Sequence, residues 1–598
     1  MRSACSRRRS AFWSSAALAW SSVAAATHGL REDASKYKED LEADGLKVPD
    51  VLPGAKLLLP PRPIMQEVNW PLLKVSKSLF DPTKLDAEGG GGDEARKSDD
   101  EEADVGAGGE WDLSGDDDDD GGSPTIPTEM KHLARLTWPI VLQMGSQQIM
   151  LACDLIYVGR LGRFEMQVGS LFTVLFLLCW YFLAGLTSAM DTLASQAHGA
   201  NDARAVKSWT LLVLLVITLA CFPAAAFLFS AEAIVGDALK RPDAVAREVG
   251  RACVILFPGL WFMSWSLVYQ KYLQMQGRVN PVGITSFMTL MLNVGLNQLF
   301  IHTLDFGLRG APIATTISRL ANLILLGMYS ASRSLAYETR EDRKKEWEEW
   351  IQAKKDITKK MFQRATSLCF HGGLMLASEA WAFEVTVITA SILGEVELDA
   401  HNALLSVCGL TFMTGPMAFG IAASIRVGNL LGMGKYRIAK TAASLYIFVG
   451  LTWMTICSVL IAIYARHIGN AYTDGDKDIA DLVVVLSPLA ATFQVFDALL
   501  GICNGVLRAC GRQRILAITN MVALWAVGVT LGTSLAFATS LRAKGIWIGL
   551  MGGVIASGST LAVMVSRVNW RNEAELAKQS AVNVHNIDDE QEEKVAAV

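Results

Sequence analysis

No C-x-x-C pair occurs among the ten cysteines of this 598-residue chain. Neither a zinc site nor a disulfide framework is indicated, and most of these cysteines read as small apolar filler in helices. A phosphate-binding loop is also missing. Gly432-Met-Gly434-Lys435 has glycines and a lysine, but the G-x-x-x-x-G-K-[ST] spacing fails and Tyr436 follows. A nucleotide-driven pump is therefore not supported. No nucleophile with its base, and no set of His/Asp ligands, falls at one depth of the apolar runs, as an intramembrane enzyme requires. The expectation is a chain that is not an enzyme, with no cofactor, no metal and no nucleic-acid partner.

Charge is scarce where apolar residues abound. The chain is 51% hydrophobic with a mean hydropathy of +0.30, but that average hides two unlike parts. Residues 1–130 hold 15 Lys/Arg and 26 Asp/Glu, and the rest of the chain holds 39 and 33. Residues 1–30 contain Arg2, Arg7, Arg8 and Arg9 and no acid, in a Ser/Ala-rich context. This reads as a targeting segment. A secretory signal and an organelle transit peptide fit about equally, and a tail without a targeting role is the third reading. Residues 31–130, with Gly89–Gly92 and Asp116–Asp120, cannot build a core and are expected as a disordered acidic linker.

From Thr137 onward apolar runs recur, near 137–158, 168–190, 209–230, 252–273, 282–302, 311–332, 365–391, 402–424, 441–464, 482–505, 515–538 and 546–566. Each is about the length that a spanning helix needs, and in lipid the backbone bonds itself most simply as a helix. The fold class is therefore all-α integral membrane, with twelve transmembrane helices. The expected organisation is a lobe over 131–333, a charged linker over 334–364, a second lobe over 365–570 and a polar tail over 571–598. Basic residues gather in alternate loops: Arg204 and Lys207, Lys271 and Arg278, Arg426 to Lys440, Arg508 to Arg514, and the 333–364 linker. By the positive-inside rule both termini and that linker face the cytosol or its equivalent. Plasma membrane, vacuole and plastid envelope stay open. A targeting segment cleaved on the far side would conflict with a cytosolic N-terminus, which favours an organelle signal or no cleavage.

The two halves share landmarks. Gly185-Leu-Thr-Ser-Ala matches Gly420-Ile-Ala-Ala-Ser, Leu273-Gln-Met-Gln-Gly277-Arg matches Leu507-Arg-Ala-Cys-Gly511-Arg, and Gly310-Ala-Pro-Ile matches Gly545-Ile-Trp-Ile, at offsets of 235, 234 and 235. Leu161-Gly162-x-x-Glu165-Met166 matches Leu393-Gly394-x-x-Glu397-Leu398 at 232. Small residues that let helices pack explain single glycines, but not a shared register. Two pseudo-symmetric six-helix lobes are expected, with substrate held between or within them.

One run breaks the apolar pattern. Residues 366–390 carry Glu379 and Glu384, and each acid at bilayer depth costs at least about 2.5–3.5 kcal/mol on insertion scales. A water-filled cavity is the usual reason for accepting that cost. The two acids are five residues apart, about 500° of turn, so they sit about 140° apart on the helix. Glu379 is assigned to the cavity and Glu384 to a supporting position.

At these residues the chain resembles the multidrug and toxic compound extrusion (MATE) family, eukaryotic type, over about 130–570. The matching motifs are Val158-Gly159-Arg-Leu-Gly162, Asp191-Thr-Leu-Ala-Ser-Gln196-Ala-x-Gly199-Ala, Arg426-Val-Gly-Asn429-Leu-Leu-Gly432 and Gly505-Val-Leu-Arg508-Ala-Cys-Gly511-Arg-Gln513. The resemblance implies two lobes around a V-shaped cavity. It also implies export of small organic, often cationic, compounds against entry of a proton or, less favoured, sodium, by a monomer. Glu379-Ala-Trp381-Ala-Phe-Glu384 resembles the acidic motif of span 7, and Asp497 falls where the family has an acid in span 10; the two would share a cavity in the C-terminal lobe. Asp154 matches a span-1 acid of prokaryotic members, with Pro139 earlier on the same helix as a bend point. Where those members pair an Asn with an Asp in span 5, this chain has Asn293 and Asn297, and an amide cannot titrate. Asp154 therefore stands equally as a site or as a charge near a helix end. Asp191 and Asp202 read as caps or loop charges. His302 and His371, in or near spans, fit packing or interface placement better than proton relay. Trp180, Tyr181, Trp261, Trp265, Trp381 and Trp525 could line a cavity for flat cations or anchor at the interface. The alternative function is a flippase of lipid-linked oligosaccharide, which a cavity rich in basic residues would favour.

Overall fold

The computed structural model describes residues 126–336, 340–472 and 476–579. The targeting segment, nearly all of the acidic linker and the end of the C-terminal tail lie outside them.

Twelve long helical stretches follow one another. In the first half they are α1 (Ile126–Gly159), α2 (Arg163–Leu186) continued by α3 (Ala189–Gly199), α4 (Ala203–Phe229), α5 (Asp243–Met275), α6 (Asn280–Asn297) and α7 (Gly310–Ala336). A further helix, α8 (Arg340–Lys355), crosses the middle. The second half has α9 (Lys359–Leu393), α10 (Glu395–Phe412) continued by α11 (Ala418–Gly432), α12 (Tyr436–Tyr472), α13 (Lys477–Ala509), α14 (Gln513–Asn520) continued by α15 (Thr530–Ala538), and α16 (Ala543–Ser566). All twelve apolar runs fall on these stretches to within one residue, counting the segments that join or extend the helices. Eleven of the stretches are long and apolar enough to cross a membrane. The remaining one is α1, whose middle carries Gln143, Ser146, Gln147 and Gln148 and whose last turns carry Asp154. Large apolar side chains stay exposed on the outer faces, among them Phe222 and Phe448, as a lipid-facing surface requires.

Helix starts obey local chemistry. Asp202 accepts from the amide of Ala205 at 2.9 Å, and Thr358 accepts from that of Met361 at 3.2 Å, so each occupies the capping position. Among the wide-turn segments that interrupt the regular geometry are Gln298–Thr303, Met413–Met417 and Met521–Val529. The second contains Pro416, which has no amide to keep a regular helix bonded.

The repeat reaches the backbone. Eight of the ten positive φ angles among the described residues fall in pairs: Gly162 with Gly394 (153° and 154°), Asn201 with Gly434 (59° and 78°), Gly277 with Gly511 (74° and 73°), and Gly307 with Arg542 (54° and 47°). The separations are 232, 233, 234 and 235. Strained turns are costly and local, so their recurrence in register means that both halves wind the same path.

Polar segments at the edges of the apolar runs are more structured than composition suggests. Helix α1 begins at Ile126, inside the stretch read as linker, because Glu129 is tied down by Arg426 at 2.6 Å. The inter-lobe linker holds α8, clamped to α4 by Lys207 on Glu349 at 2.6 Å and by the Ser208 hydroxyl on the carbonyl of Ala353 at 2.9 Å. A helix over 570–579 opens the expected polar tail, with Glu573 paired to Arg512.

Candidate functional site

The lobes meet along a seam of small residues. A Cβ built on Gly199 would stand 2.0 Å from the carbonyl oxygen of Asn429, and one on Gly432 would stand 2.1 Å from that of Gln196. Only glycine permits this approach. Amides and hydroxyls stitch the same seam. Thr192 donates to the carbonyl of Arg508 at 2.5 Å, Gln196 to that of Ala509 at 2.8 Å, and Asn429 to that of Met275 at 3.1 Å.

At its centre lies a buried charge cluster. Asp191 is 2% exposed; it takes Lys271 of its own lobe at 2.7 Å and Arg508 of the opposite lobe at 3.5 Å. This corrects the expectation for Asp191. The span does not end where its apolar run does, near residue 190, but turns at Thr187 and Ser188 and continues to Gly199 as α3, whose first turn carries Asp191 into the interface. Asp202 is the cap it was expected to be.

Of the candidate acids, Glu379 and Asp497 are both buried, at 7% and 4% exposure. They lie on α9 and α13, and their charges act on one another. Glu379 also feels the charge of Arg508. Glu384 is half-buried, and Tyr181 of the opposite lobe feels it as well as Glu379. Trp381 crosses between lobes too, its indole N–H donating to the carbonyl of Leu178 at 3.2 Å. The acid pair therefore lies in the protein interior rather than against acyl chains.

The N-terminal lobe gathers a second set. Asp154 accepts from Asn297 Nδ2 at 2.6 Å and from Thr315 Oγ1 at 2.8 Å, and Asn297 Nδ2 also reaches Asn293 Oδ1 at 3.0 Å. Asp154 is near the end of α1 yet not a loop charge. Pro139 is buried inside α1, and a Cβ on Gly283 of α6 would stand 2.7 Å from its carbonyl oxygen.

Two adjoining clefts open in this lobe. The larger, about 880 Å³ counted to its mouth, is lined by Asp154, Gln147, Trp180, Tyr181 and Arg319 among others, with Met413 reaching in from the other lobe. The smaller, about 370 Å³, also includes Trp180 and Arg319. Glu379 and Asp497 line neither of them. The aromatics divide accordingly. Trp180 and Tyr181 are cleft walls, Trp261 and Trp265 meet edge to face, and Trp525 is bonded to the carbonyl of Ser378. His302 is exposed beside Tyr157, and His371 is bonded to its own helix at Ser367. Arg319 is the site residue that sequence patterning should have added. It stands inside the 311–332 run and carries the same signal as Glu379.

The MatE family model matches twice, over residues 139–299 and 373–533. The two starts are separated by 373 less 139, or 234, the offset of the repeat. This chain belongs to the MatE family. It is 30% identical to multidrug and toxin extrusion protein 2 of Mus musculus over 77% of this chain and 78% of that one. It is 27% identical to Protein DETOXIFICATION 12 of Arabidopsis thaliana, over 76% and 92%. The crystal structure of the eukaryotic MATE transporter AtDTX14 superposes with a TM-score of 0.69 at 23% identity, covering 76% of this chain and all but 1% of the other. The protein is thus a multi-pass membrane efflux transporter of the MATE type, in a family of transporters rather than enzymes.

Proposed function

We propose that this MATE protein is a proton-coupled antiporter exporting small organic compounds, with Glu379 and Asp497 as the groups that exchange protons for cargo. The observation that carries this reading is the pair itself: two carboxyl groups, both out of water, on facing helices of one lobe and within electrostatic reach. Two like charges held out of water in one lobe repel more strongly than they would in water. A proton or a cationic group of the substrate relieves that repulsion. Loading one expels the other, and only their different affinities in the two lobe arrangements drive turnover.

The lobe seam supplies the second half of the cycle. Asp191 and Arg508 hold the lobes together at the end where the basic loops gather, while the clefts lie toward the opposite ends of α1 and α7. We assign the basic end, with both termini, to the cytosolic side. In this state the protein faces away from it. Arg508 pairs with Asp191 and acts on Glu379, so the charge on Glu379 feeds into the clamp. Lobes over 131–333 and 365–570, joined by the 334–364 segment, are the moving bodies of this scheme. Asp154, Asn293 and Asn297 form a supporting polar set, and Glu384 and Trp381 hold α9 against α2. The clefts contain one base, Arg319, and one acid, Asp154, not the basic lining that an oligosaccharide-lipid flippase calls for.

The test is efflux from proteoliposomes under an imposed pH gradient. Glu379→Gln and Asp497→Asn should each abolish gradient-driven export of an organic cation. Export that persists at the parent rate in both variants, or that follows a sodium gradient instead, removes the proposal.

A further inference from the structure

We propose that Arg319 marks an anion-binding subsite in the N-terminal lobe, one that takes the carboxylate of an aromatic organic substrate. The proposal rests on the export reading and adds to it a substrate class, compounds carrying a carboxylate as well as a flat ring system.

The placement of Arg319 is the first observation. A cationic side chain on a membrane-crossing helix is costly, yet this one stands on α7 where the two clefts adjoin and lines both. Its partners are the second. The Nε atom is buried and has no hydrogen-bond partner, although a guanidinium carries five donors in a planar fork matched to a carboxylate. Asp154 is the acid whose charge acts on it, but its two oxygens are already served, one by Asn297 and one by Thr315. Asp154 therefore balances the charge without occupying the fork. A third observation comes from the same cleft wall. Ser286 Oγ is also buried and unpartnered, and it lines the smaller cleft with Arg319. A buried donor left unmade is costly, and two at one cleft point to a group that arrives with lone pairs. Trp180, a wall of both clefts, offers a face for the ring that bears the carboxylate.

The probe is a rhodamine dye with a free carboxylate, set against its methyl ester, which has the same ring and no anion. Binding to the purified full chain is read by fluorescence anisotropy. A hydrogen bond to a charged group is worth about 1.5–3 kcal/mol, so R319Q should weaken the acid dye about tenfold or more. The ester should bind parent and R319Q alike, which shows that the variant is folded, and R319K should fall between them for the acid dye. The proposal is overturned if R319Q binds the acid dye as the parent does, or loses both dyes equally. Efflux of the ester from proteoliposomes under a pH gradient tests the antiport reading separately. If the ester is not exported but the acid dye still depends on Arg319 for binding, antiport falls and the subsite stands.

Discussion

Replacing Asp191 by Asn should unfasten the lobe seam. Asp191 is the only acid that the described contacts place between Lys271 and Arg508, at 2.7 and 3.5 Å, and all three side chains are at most 8% exposed. The amide keeps the volume and removes the charge, leaving two buried cations facing each other across the closed end. Breaking a buried ion pair from one side costs about 3–5 kcal/mol. Part of that cost can be recovered by opening the seam, where Lys271 and Arg508 regain water. At the lower figure, about 3 kcal/mol, the opening equilibrium shifts roughly 150-fold. The assay is hydrogen–deuterium exchange on the purified protein. Peptides from α3 and α11, which face each other at Gly199 and Asn429, should exchange about 100-fold faster in D191N, while α16, which contributes no residue to the triad, serves as the internal control. Asp191→Glu keeps the charge and should stay within a few-fold of the parent. If D191N leaves α3 and α11 as protected as before, the triad does not hold the lobes together. If α16 accelerates as much as they do, the effect is global unfolding and not gate opening.

Three further outcomes follow from the same geometry. Gly199→Ala and Gly432→Ala each drive a methyl to about 2 Å from a backbone oxygen of the other lobe, so each should lower the thermal midpoint by the equivalent of about 1–3 kcal/mol. Gly162→Ala and Gly394→Ala place a side chain at nearly identical φ angles of 153° and 154°. Each should therefore cost about 1–3 kcal/mol, and by similar amounts in thermal melts, whereas unequal losses would count against equivalent turns. Glu349→Gln removes the partner of Lys207 and should release α8, seen as faster proteolysis between residues 336 and 359 while ligand binding is kept.

The apolar runs disclosed the twelve spans because lipid demands length and apolarity, and both are local properties. What they did not disclose is held in place by partners far along the chain. The start of α1 needs Arg426, α8 needs Lys207 and Ser208, and the 570–579 helix needs Arg512. Such segments look like linker because their stability is tertiary. The candidate site divides in the same way. Glu379 and Asp497 stand out because charge within an apolar run is expensive, and both are indeed interior. Asp191 reads as a cap because it sits where an apolar run ends, and only the turn at Thr187 and Ser188, followed by another helix, brings it under the opposite lobe. The motif glycines Gly199 and Gly432 were visible as repeat landmarks, but their role as points of contact between lobes depends on how the halves face each other.

The repeat also clarifies what each lobe contributes, because the scaffold is duplicated and the chemistry is not. At the offsets of 232 to 235 that relate the paired turns, Asp497 corresponds to Met263, Glu379 to Gly145, Arg319 to Val554 and Asp154 to Thr386. Neither lobe's ionisable set is retained in the other. Met263 lines both clefts of the N-terminal lobe, so the position of Asp497 is one that faces a void in this architecture. In the N-terminal lobe that position is apolar and the void is open, lined by aromatics and one base. In the C-terminal lobe it is a buried acid within electrostatic reach of a second buried acid. An apolar, aromatic wall binds flat cargo with little regard to protonation, and a buried acid pair responds to protons with little room for cargo. Under the proposed antiport cycle the two copies of one bundle divide the work, one holding the substrate and one sensing the proton, and the Asp191–Arg508 contact is the link through which a change in either reaches the other.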